Sequence, residues 1–359
     1  MEKRYLILAI NPGSTSTKIA VFRNTKSVFL KTIRHTSDNL EQFERTTDQF
    51  HYRKDMILKE LEDSELDVNN ISAVVGRGGL IRPVESGVYE VNETMVQDLK
   101  EARRGEHASN LGGLIAVDIA RSLPDARAFI ADPVVVDEMQ EVARLSGHPY
   151  FERRSIFHAL NQKAIARSHA KSIDRDYEDL NLIIAHLGGG ISVGAHQKGK
   201  VIDVNNALDG DGPFSPERTG GLPVGQIASL CYSGDYTFEE VKKMIKGQGG
   251  LVAYLDTNDA YEVELMVRDG NEKARLVQDA LSYQIGKEIG ALSAVLNGEV
   301  DSIILTGGIA HNPMVVDYVR SMVRFIAPVA IYPGEDEMQA LAENGLRVLK
   351  GEEQVKIYE

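Results

Sequence analysis

The sequence is short of cysteine and of basic charge, and these shortages exclude several classes of protein. Its 359 residues include one cysteine, Cys231, so no internal disulfide can form, which excludes a disulfide-stapled fold. The near absence of cysteine predicts a reducing, cytoplasmic compartment. Acidic residues outnumber basic ones by 53 to 40, giving a net charge of −13, which argues against nucleic acid as a partner. An anionic small substrate is not excluded, because a few arginines dominate the field of one cleft.

Long apolar runs are also missing. No run approaches the roughly 18 residues that span a bilayer, so we predict no membrane partner. The N-terminal stretch MEKRYLILAINPGS has the basic tip and apolar run of a signal peptide. The run is too short for one, however, and it ends in a Gly/Ser/Thr cluster. We therefore predict that residues 5–10 form a buried strand.

A pattern of strand, turn, strand, hairpin and strand occurs twice. It begins near residue 5 and again near residue 182, close to the midpoint of the chain. Four positions match in the same order: Leu6 with Leu182, Ala9 with Ala185, Gly13 with Gly189, and Ser16 with Ser192. Such a repeat predicts a duplicated α/β domain with a cleft between the copies. Chance similarity of two glycine-rich hairpins is the alternative.

The rest of the chain completes the two domains that its length predicts. Apolar periodicity predicts helices over residues 276–296, 315–325 and 337–350, and strands over residues 301–306 and 327–332. We assign residues 1–150 to an N-terminal domain, which the C-terminal helix of residues 338–359 joins. Residues 151–337 form the second, nucleotide-binding domain in this division.

Three glycine-rich turns follow predicted strands and suit a phosphate ligand. The first, NPGSTSTK at residues 11–18, offers backbone N–H groups, hydroxyls and Lys18, while Gly13 permits its tight backbone. The second, HLGGG at residues 186–190, and the third, GGIA at residues 307–310, leave backbone amides uncovered. The first turn by itself is equally compatible with a hairpin that binds no ligand, the second is weak evidence alone, and the third by itself favours a plain turn between strand and helix.

Two familiar nucleotide motifs fail in this sequence. The dinucleotide fingerprint fails at the second turn because Val193 occupies the third glycine position and a strand follows instead of a helix. A P-loop match over residues 194–200 fails because Val201 replaces the required Ser or Thr. A nicotinamide-dependent enzyme therefore remains only a weak alternative.

The order of the three turns resembles the fold shared by actin, sugar kinases and heat-shock chaperone ATPases, with duplicated ribonuclease H-like domains and an interdomain active-site cleft. Seven separated motifs also occur in order along the chain, namely NPGSTSTK, GRGG, EHASNLGG, ADP, SIFHALN, AHLGGGISVGAHQKGK and ERTGG. In these motifs and their order the sequence resembles the acetate and butyrate kinase family. The resemblance covers essentially the whole chain.

This resemblance implies a reaction, its cofactors and an assembly. We expect reversible, direct in-line phosphoryl transfer between ATP and butyrate, giving butanoyl phosphate and ADP, with Mg²⁺ as the metal. A kinase for isobutyrate or another short-chain acid is the alternative, and a chaperone-like ATPase switch protein is a more distant one. The family also implies a homodimer or a larger homo-oligomer.

The expected catalytic residues follow from the charges involved. A carboxylate is already ionised at pH 7, so it needs charge masking rather than a general base. We expect Arg77 and Arg218 to pair with the carboxylate and the phosphoryl group, because a guanidinium fork matches both. A surface ion pair is the alternative for either arginine, and it is the preferred interpretation of Arg218 taken alone; the family resemblance favours the catalytic role for both. The resemblance adds His158 at the phosphoryl oxygens, with Asp132 and Asn11 completing the set.

Further binding residues also come from the resemblance. Glu337, and Asp132 through water, would help to hold the metal. An ordinary first-turn acid and an Asp-Pro turn are the respective alternatives. The nucleotide-binding set comprises Ser14, Ser16, Lys18, His186, Gly188, Gly189, Gly190, Gly307, Gly308 and Asn312.

The substrate pocket is expected at Gly78, Gly79, Phe157 and His107. Acetate kinase carries a Val-Val pair after its arginine, whereas two glycines follow Arg77 here. Their missing side chains predict a deeper pocket for a longer acid. Each buried methylene adds about 0.8 kcal/mol, so selectivity by chain length would be modest.

Overall fold

The computed structural model describes residues 3–359, leaving aside the side chain of Ser37, and this part of the chain contains two β-sheets. The strands are β1 Leu6–Pro12, β2 Ser16–Arg23, β3 Lys26–Arg34, β4 Ile71–Arg77, β5 Val88–Glu90, β6 Arg127–Ala131, β7 Asn181–Leu187, β8 Ile191–Gln197, β9 Lys200–Val204, β10 Ser302–Gly307 and β11 Val329–Pro333. The helices are α1 Ser37–Glu41, α2 Phe50–Glu62, α3 Glu93–Glu101, α4 Asn110–Arg121, α5 Glu141–Arg144, α6 Ala159–Ser172, α7 Val224–Cys231, α8 Phe238–Ile245, α9 Gly250–Leu255, α10 Ala260–Arg268, α11 Glu272–Val295, α12 Pro313–Val323 and α13 Glu337–Lys350.

Contacts divide the chain into two units, which we describe separately. The first unit is Met1–Val136 with Asp336–Glu359, and the second is Asp137–Glu335. The division into domains at residues 150 and 338 stays a prediction.

The first unit is built on a six-stranded sheet in the order β3-β2-β1-β4-β6-β5. Strand β1 is antiparallel to β2 and parallel to β4, and β4 is parallel to β6. Strand β1, near the centre of this sheet, contains a continuous apolar run. Its Ile7 and Ile10 are fully buried, because helices α4 and α13 pack on the sheet. Helix α4 approaches closely, since a Cβ on Gly76 would lie 2.2 Å from the carbonyl oxygen of Gly112.

The second unit is built on a five-stranded sheet in the order β11-β10-β7-β8-β9. Strand β7 is antiparallel to β8 and parallel to β10, and β10 is parallel to β11. Helix α11 contacts β7 and β8, and helix α6 contacts β7. Strands β9-β8-β7-β10-β11 therefore repeat the order and directions of β3-β2-β1-β4-β6. This repeat confirms the predicted duplication of one α/β fold.

The predicted secondary structure agrees with these bounds to within a few residues. The long helix predicted at 276–296 is α11, and the C-terminal helix at 337–350 is α13. A helix long and apolar enough to cross a membrane does not occur among residues 3–359.

Candidate active site

In the first unit, three predicted site residues from distant parts of the chain meet. Asn11 is the second-to-last residue of β1, Arg77 ends β4, and Glu337 begins α13. Arg77 Nη1 lies 3.1 Å from Glu337 Oε1 and 3.3 Å from Asn11 Oδ1. Asn11 Nδ2 also donates to Glu337 Oε2. The side chains of Arg77 and Glu337 are 22% and 12% exposed, so the pair is largely shielded from solvent.

The first glycine turn rests on a buried arginine that the sequence analysis missed. Arg53 on α2 is 1% exposed. Its Nη1 donates to the carbonyl oxygens of Gly13 at 2.8 Å and Ser16 at 3.2 Å, and its Nη2 to that of Ser14 at 3.0 Å. Gln49 Oε1 accepts two further bonds. The guanidinium thus binds the carbonyl oxygens of the turn from beneath.

A neutral histidine lies beside this arginine. His35 is 5% exposed, and its Nε2 lies 2.9 Å from Thr17 Oγ1, which also accepts from Arg53 Nη1 at 3.1 Å. Burial, and then the positive charge of Arg53, lower the pKa of His35 to about 4. Burial also lowers the pKa of Arg53 to about 10. His35 is therefore uncharged at pH 7, and the turn rests on one buried positive charge.

Asp132 is buried directly after β6 and adopts a left-handed backbone at φ 37°. Its Oδ1 accepts from Ser86 Oγ at 2.6 Å and from the Gly87 backbone N–H at 2.9 Å. One carboxylate oxygen thus holds the neighbouring loop, and a non-glycine residue at positive φ is strained. Any role of Asp132 toward a metal stays a prediction.

Gly78 and Gly79 do not deepen a pocket by lacking side chains, as was expected from the sequence. A Cβ on Gly79 would lie 2.6 Å from the Cα of Asn110, and one on Gly78 would lie 2.5 Å from the Cβ of Pro133. The space that the missing side chains would occupy is therefore filled by the protein itself. Asn110 accepts from the Leu80 N–H at 2.8 Å and fixes this close approach. Contact of these glycines with an acid stays a prediction.

Other predicted residues of the first unit are more open. Lys18 and Ser14 are exposed, and Ser16 is half-buried at the start of β2. His107 is exposed, and its Nδ1 accepts from the Ser109 backbone N–H at 3.2 Å.

In the second unit, two predicted histidines stack on each other. His158 precedes α6, and His186 lies near the end of β7. Their ring centroids are 3.9 Å apart with an interplanar angle of 21°. His186 Nε2 lies 3.3 Å from Glu335 Oε2, and among residues 3–359 its buried Nδ1 has no hydrogen-bond partner. Phe157, beside this pair, is 2% exposed and buried in the unit.

The second glycine turn cradles the second arginine. A Cβ on Gly190 would lie 2.0 Å from Arg218 Nη1, so only glycine leaves room for this guanidinium. Arg218 Nη1 donates to the carbonyl oxygen of Ala207 at 2.6 Å. Its buried Nε finds no acceptor anywhere in the described chain. Burial lowers the pKa of Arg218, and the charge of Glu217 offsets part of that effect. A buried guanidinium with an unused donor is suited to an anionic ligand.

The other glycines of the predicted nucleotide-binding set differ in how closely the protein packs around them. A Cβ on Gly188 would lie 3.1 Å from His186 Nε2, whereas Gly189 and Gly308 have open space at that position. Gly307 adopts φ 92° against the carbonyl of Leu187 and needs to be glycine. These turns leave backbone accessible at Gly189 and Gly308.

Asn312 has a capping role that the sequence analysis did not foresee. Its Oδ1 accepts from the Met314 N–H at 3.0 Å at the N-terminus of α12, and its Nδ2 donates to Gln278 at 2.9 Å. Its side-chain amide is thus engaged within the unit, and its part in nucleotide binding stays a prediction.

Comparison with known proteins supplies the family. Residues 144–356, more than half of the chain, match the model of the acetokinase family. The chain belongs to the acetokinase family. Enzymes of this family use ATP and a divalent metal ion.

Two curated relatives of this acetokinase-family chain come from Clostridium acetobutylicum. Butyrate kinase 2 is 57% identical over 355 residues and Butyrate kinase 1 is 54% identical over 354 residues, each alignment covering 99% of both chains. Acetate kinase from Porphyromonas gingivalis has the same fold, with a TM-score of 0.80 at 20% identity over 96% of this chain and 100% of that one. This structural likeness confirms the predicted actin-like ATPase fold.

Proposed function

We propose that this protein catalyses reversible phosphoryl transfer between ATP and butyrate, giving ADP and butanoyl phosphate. The observation that carries the proposal is the 57% and 54% identity with two butyrate kinases over 99% of both chains. The shielded Arg77 and the buried Arg218 support it, because the reaction brings an anion against a polyanion.

The mechanism needs charge masking and positioning more than proton transfer. A butyrate oxygen attacks the γ-phosphorus, the bond from phosphorus to the ADP oxygen breaks, and no proton moves. We assign the carboxylate to Arg77, which Asn11 and Glu337 orient at 3.3 and 3.1 Å. Arg218 and His158 act on the phosphoryl oxygens, where fixed donors stabilise the transition state.

The residues present fit a nucleotide with its metal ion. Among residues 3–359, groups of three or more His, Cys, Asp or Glu side chains suited to a metal do not occur. Single carboxylates suit Mg²⁺, which keeps water and phosphate ligands. We propose that Glu337, with Asp132 through water, holds Mg²⁺, which neutralises phosphate charge. The turns at Gly13–Ser16, Gly188–Gly190 and Gly307–Gly308 would receive the nucleotide, whose phosphates their backbone N–H groups suit.

A hydroxamate assay tests the proposal. Purified protein, Mg-ATP and hydroxylamine are mixed with acetate, propionate, butyrate, isobutyrate or valerate in turn, and any acyl phosphate is trapped as a coloured hydroxamate. We expect a maximum with butyrate. A maximum with isobutyrate would change the assigned acid, and no product with any acid, in protein that binds ATP, would refute the kinase and favour an ATPase switch.

A pair of arginine variants tests the assignment of Arg77. Arg77→Ala should lower kcat/KM by about 10²-fold or more while ATP still binds. Arg127→Ala is the matched control, because Arg127 is 45% exposed and pairs with Glu90 on the surface. Near-normal turnover of Arg77→Ala would remove this residue from the mechanism.

We also propose a cytoplasmic location, which the single cysteine supports, and a homodimer or larger homo-oligomer, which the family resemblance supports. Light scattering of the purified protein tests the assembly, and a monomeric mass would refute it.

A further inference from the structure

A buried chain of hydrogen bonds runs behind His158 in the second unit. It starts at Tyr177 and passes through His196 and Gln162 to Ser192 and then His158. The three middle residues are fully buried, and Tyr177 is 3% exposed. Gln162 lies on α6, while Ser192 and His196 lie on one face of β8. Gly194, between them on this face, makes room, since a Cβ there would lie 2.7 Å from Gln162 Oε1.

The orientation of the Gln162 amide is fixed by a backbone carbonyl. Gln162 Nε2 lies 3.1 Å from the Ser192 carbonyl oxygen, which only accepts, so the NH₂ group faces Ser192. Its second hydrogen points to Ser192 Oγ at 2.9 Å. Gln162 Oε1 must then accept from His196 Nε2 at 2.9 Å.

At the other end of this hydrogen-bond series, the bonds of His196 and Tyr177 are consistent with the same donor-to-acceptor order. Burial, together with the charges of Lys163 and Arg167, lowers the pKa of His196 well below its usual value, so its ring is neutral. With its hydrogen on Nε2, His196 accepts at Nδ1 from the Tyr177 hydroxyl at 2.7 Å.

The direction of these bonds decides where the hydrogen sits on His158. Ser192 Oγ accepts from Gln162, and its own hydrogen needs an acceptor. Within the described chain, its other neighbours are the His158 backbone N–H, which is a donor, and His158 Nδ1 at 2.8 Å. Ser192 therefore donates to Nδ1. A neutral imidazole that accepts at Nδ1 carries its hydrogen on Nε2.

We infer that Tyr177, His196, Gln162 and Ser192 are positioning residues that hold His158 as the neutral Nε2–H tautomer. The inference rests on the proposed function for its purpose: His158 then presents a fixed, uncharged donor to the transferring phosphoryl group. Stacking on His186 fixes the plane of the ring. Such preorganisation avoids reorientation during the reaction.

Nitrogen NMR of histidine-labelled protein tests the tautomer without any turnover. The protein has nine histidines, and His158→Gln identifies the missing signal. Near neutral pH we expect His158 with a protonated Nε2 and an unprotonated Nδ1. A protonated Nδ1, in either the other tautomer or the cation, would overturn the inference.

Two variants test whether the chain imposes this tautomer. Ser192→Ala should release His158 to a mixture of tautomers and lower kcat about tenfold, with the KM for ATP little changed. Gln162→Glu supplies an acceptor to Ser192, so His158 should shift its hydrogen to Nδ1, and kcat should fall about 10²-fold or more. Ser282→Ala is the matched control, because within residues 3–359 this buried hydroxyl bonds only to the Gln278 carbonyl of its own helix.

The outcomes separate this inference from the proposed function. Retention of a single Nε2–H tautomer and of wild-type kcat in Ser192→Ala would overturn the positioning role. If wild-type protein made no acyl phosphate, the function would fail while the NMR spectrum still decided the tautomer. His158→Gln should keep more activity than His158→Asn, because only the Gln amide reaches the Nε2 position.

Discussion

The contact between Gly190 and Arg218 offers a sharp test, because a single methyl group would displace the arginine. In Gly190→Ala the new Cβ would lie 2.0 Å from Arg218 Nη1. Side chains do not approach closer than roughly 3 Å, so the guanidinium must move by about 1 Å or more and lose its 2.6 Å bond to Ala207. The displaced group is the far end of a flexible side chain, so the fold itself should tolerate the change.

The size of the effect follows from that displacement. A misplacement of about 1 Å in a catalytic group costs about 10²-fold in rate, which is about 2.7 kcal/mol of transition-state stabilisation. We therefore expect kcat/KM for butyrate to fall about 10²-fold in Gly190→Ala. The melting temperature should change little.

Steady-state kinetics and thermal unfolding of the same preparations measure the two predicted quantities, kcat/KM and the melting temperature. Gly290→Ala on α11 is the matched control, because, apart from its chain neighbours and the backbone of its own helix, no atom of residues 3–359 lies within 4 Å of the new Cβ. It should keep full activity and gain slightly in stability from its higher helix propensity. Wild-type kcat/KM in Gly190→Ala would show that the reaction does not need Arg218 where the structure holds it.

Three further predictions concern the first unit. Gly79→Val should lower the free energy of unfolding by about 1–3 kcal/mol, because its Cβ would lie within 3 Å of the Asn110 backbone. Urea titration measures this, and unchanged stability with a shift toward acetate would restore the open-pocket argument. Arg53→Met should cost about 2–4 kcal/mol in the same titration, since three turn carbonyls lose their donor; an unaltered midpoint would contradict this. The pKa of about 4 for His35 predicts stability that is complete above pH 6.5 and lost as the pH falls toward 4, by about 3 kcal/mol. His35→Gln should abolish this part of the acid dependence, and an identical pH profile in the variant would refute it.

The repeated fold was predictable because its signals are local. The apolar runs at β1 and β7 are long enough to indicate buried strands, and each is followed by a glycine-rich turn and a hairpin. The 24 residues of α11 carry an apolar period that no strand shows.

Sequence motifs singled out Arg77 and Glu337 as site candidates, but their contact could not be predicted from the sequence. Arg77 and Glu337 meet across 260 positions of sequence, which no local pattern reveals. Arg53 had a signal, because it shares a helix face with Ile57 and Leu61, all three of them buried. The positive charge of Arg53 favours a position at the surface. The residue is buried instead, because the carbonyl oxygens of the turn accept its hydrogen bonds.

The structural roles of Gly79 and Gly190 depend on tertiary contacts that the sequence does not show. Gly79 was expected to leave room for an acid, yet the structure fills that space with the Asn110 backbone. Gly190 leaves room for a guanidinium that lies 28 positions later in the chain. A sequence shows that a side chain is missing, but only packing shows which atoms occupy its place.

Phosphorus NMR of the reaction mixture shows directly whether the γ-phosphate of ATP passes to butyrate. Purified protein is mixed with Mg-ATP and butyrate, and the fate of the γ-phosphate is followed without any trapping reagent. We expect the γ-phosphate signal to decline while an acyl-phosphate signal and ADP appear together, and ATP to re-form when ADP and butanoyl phosphate are supplied instead. Release of inorganic phosphate alone, with no acyl phosphate in either direction, would contradict it.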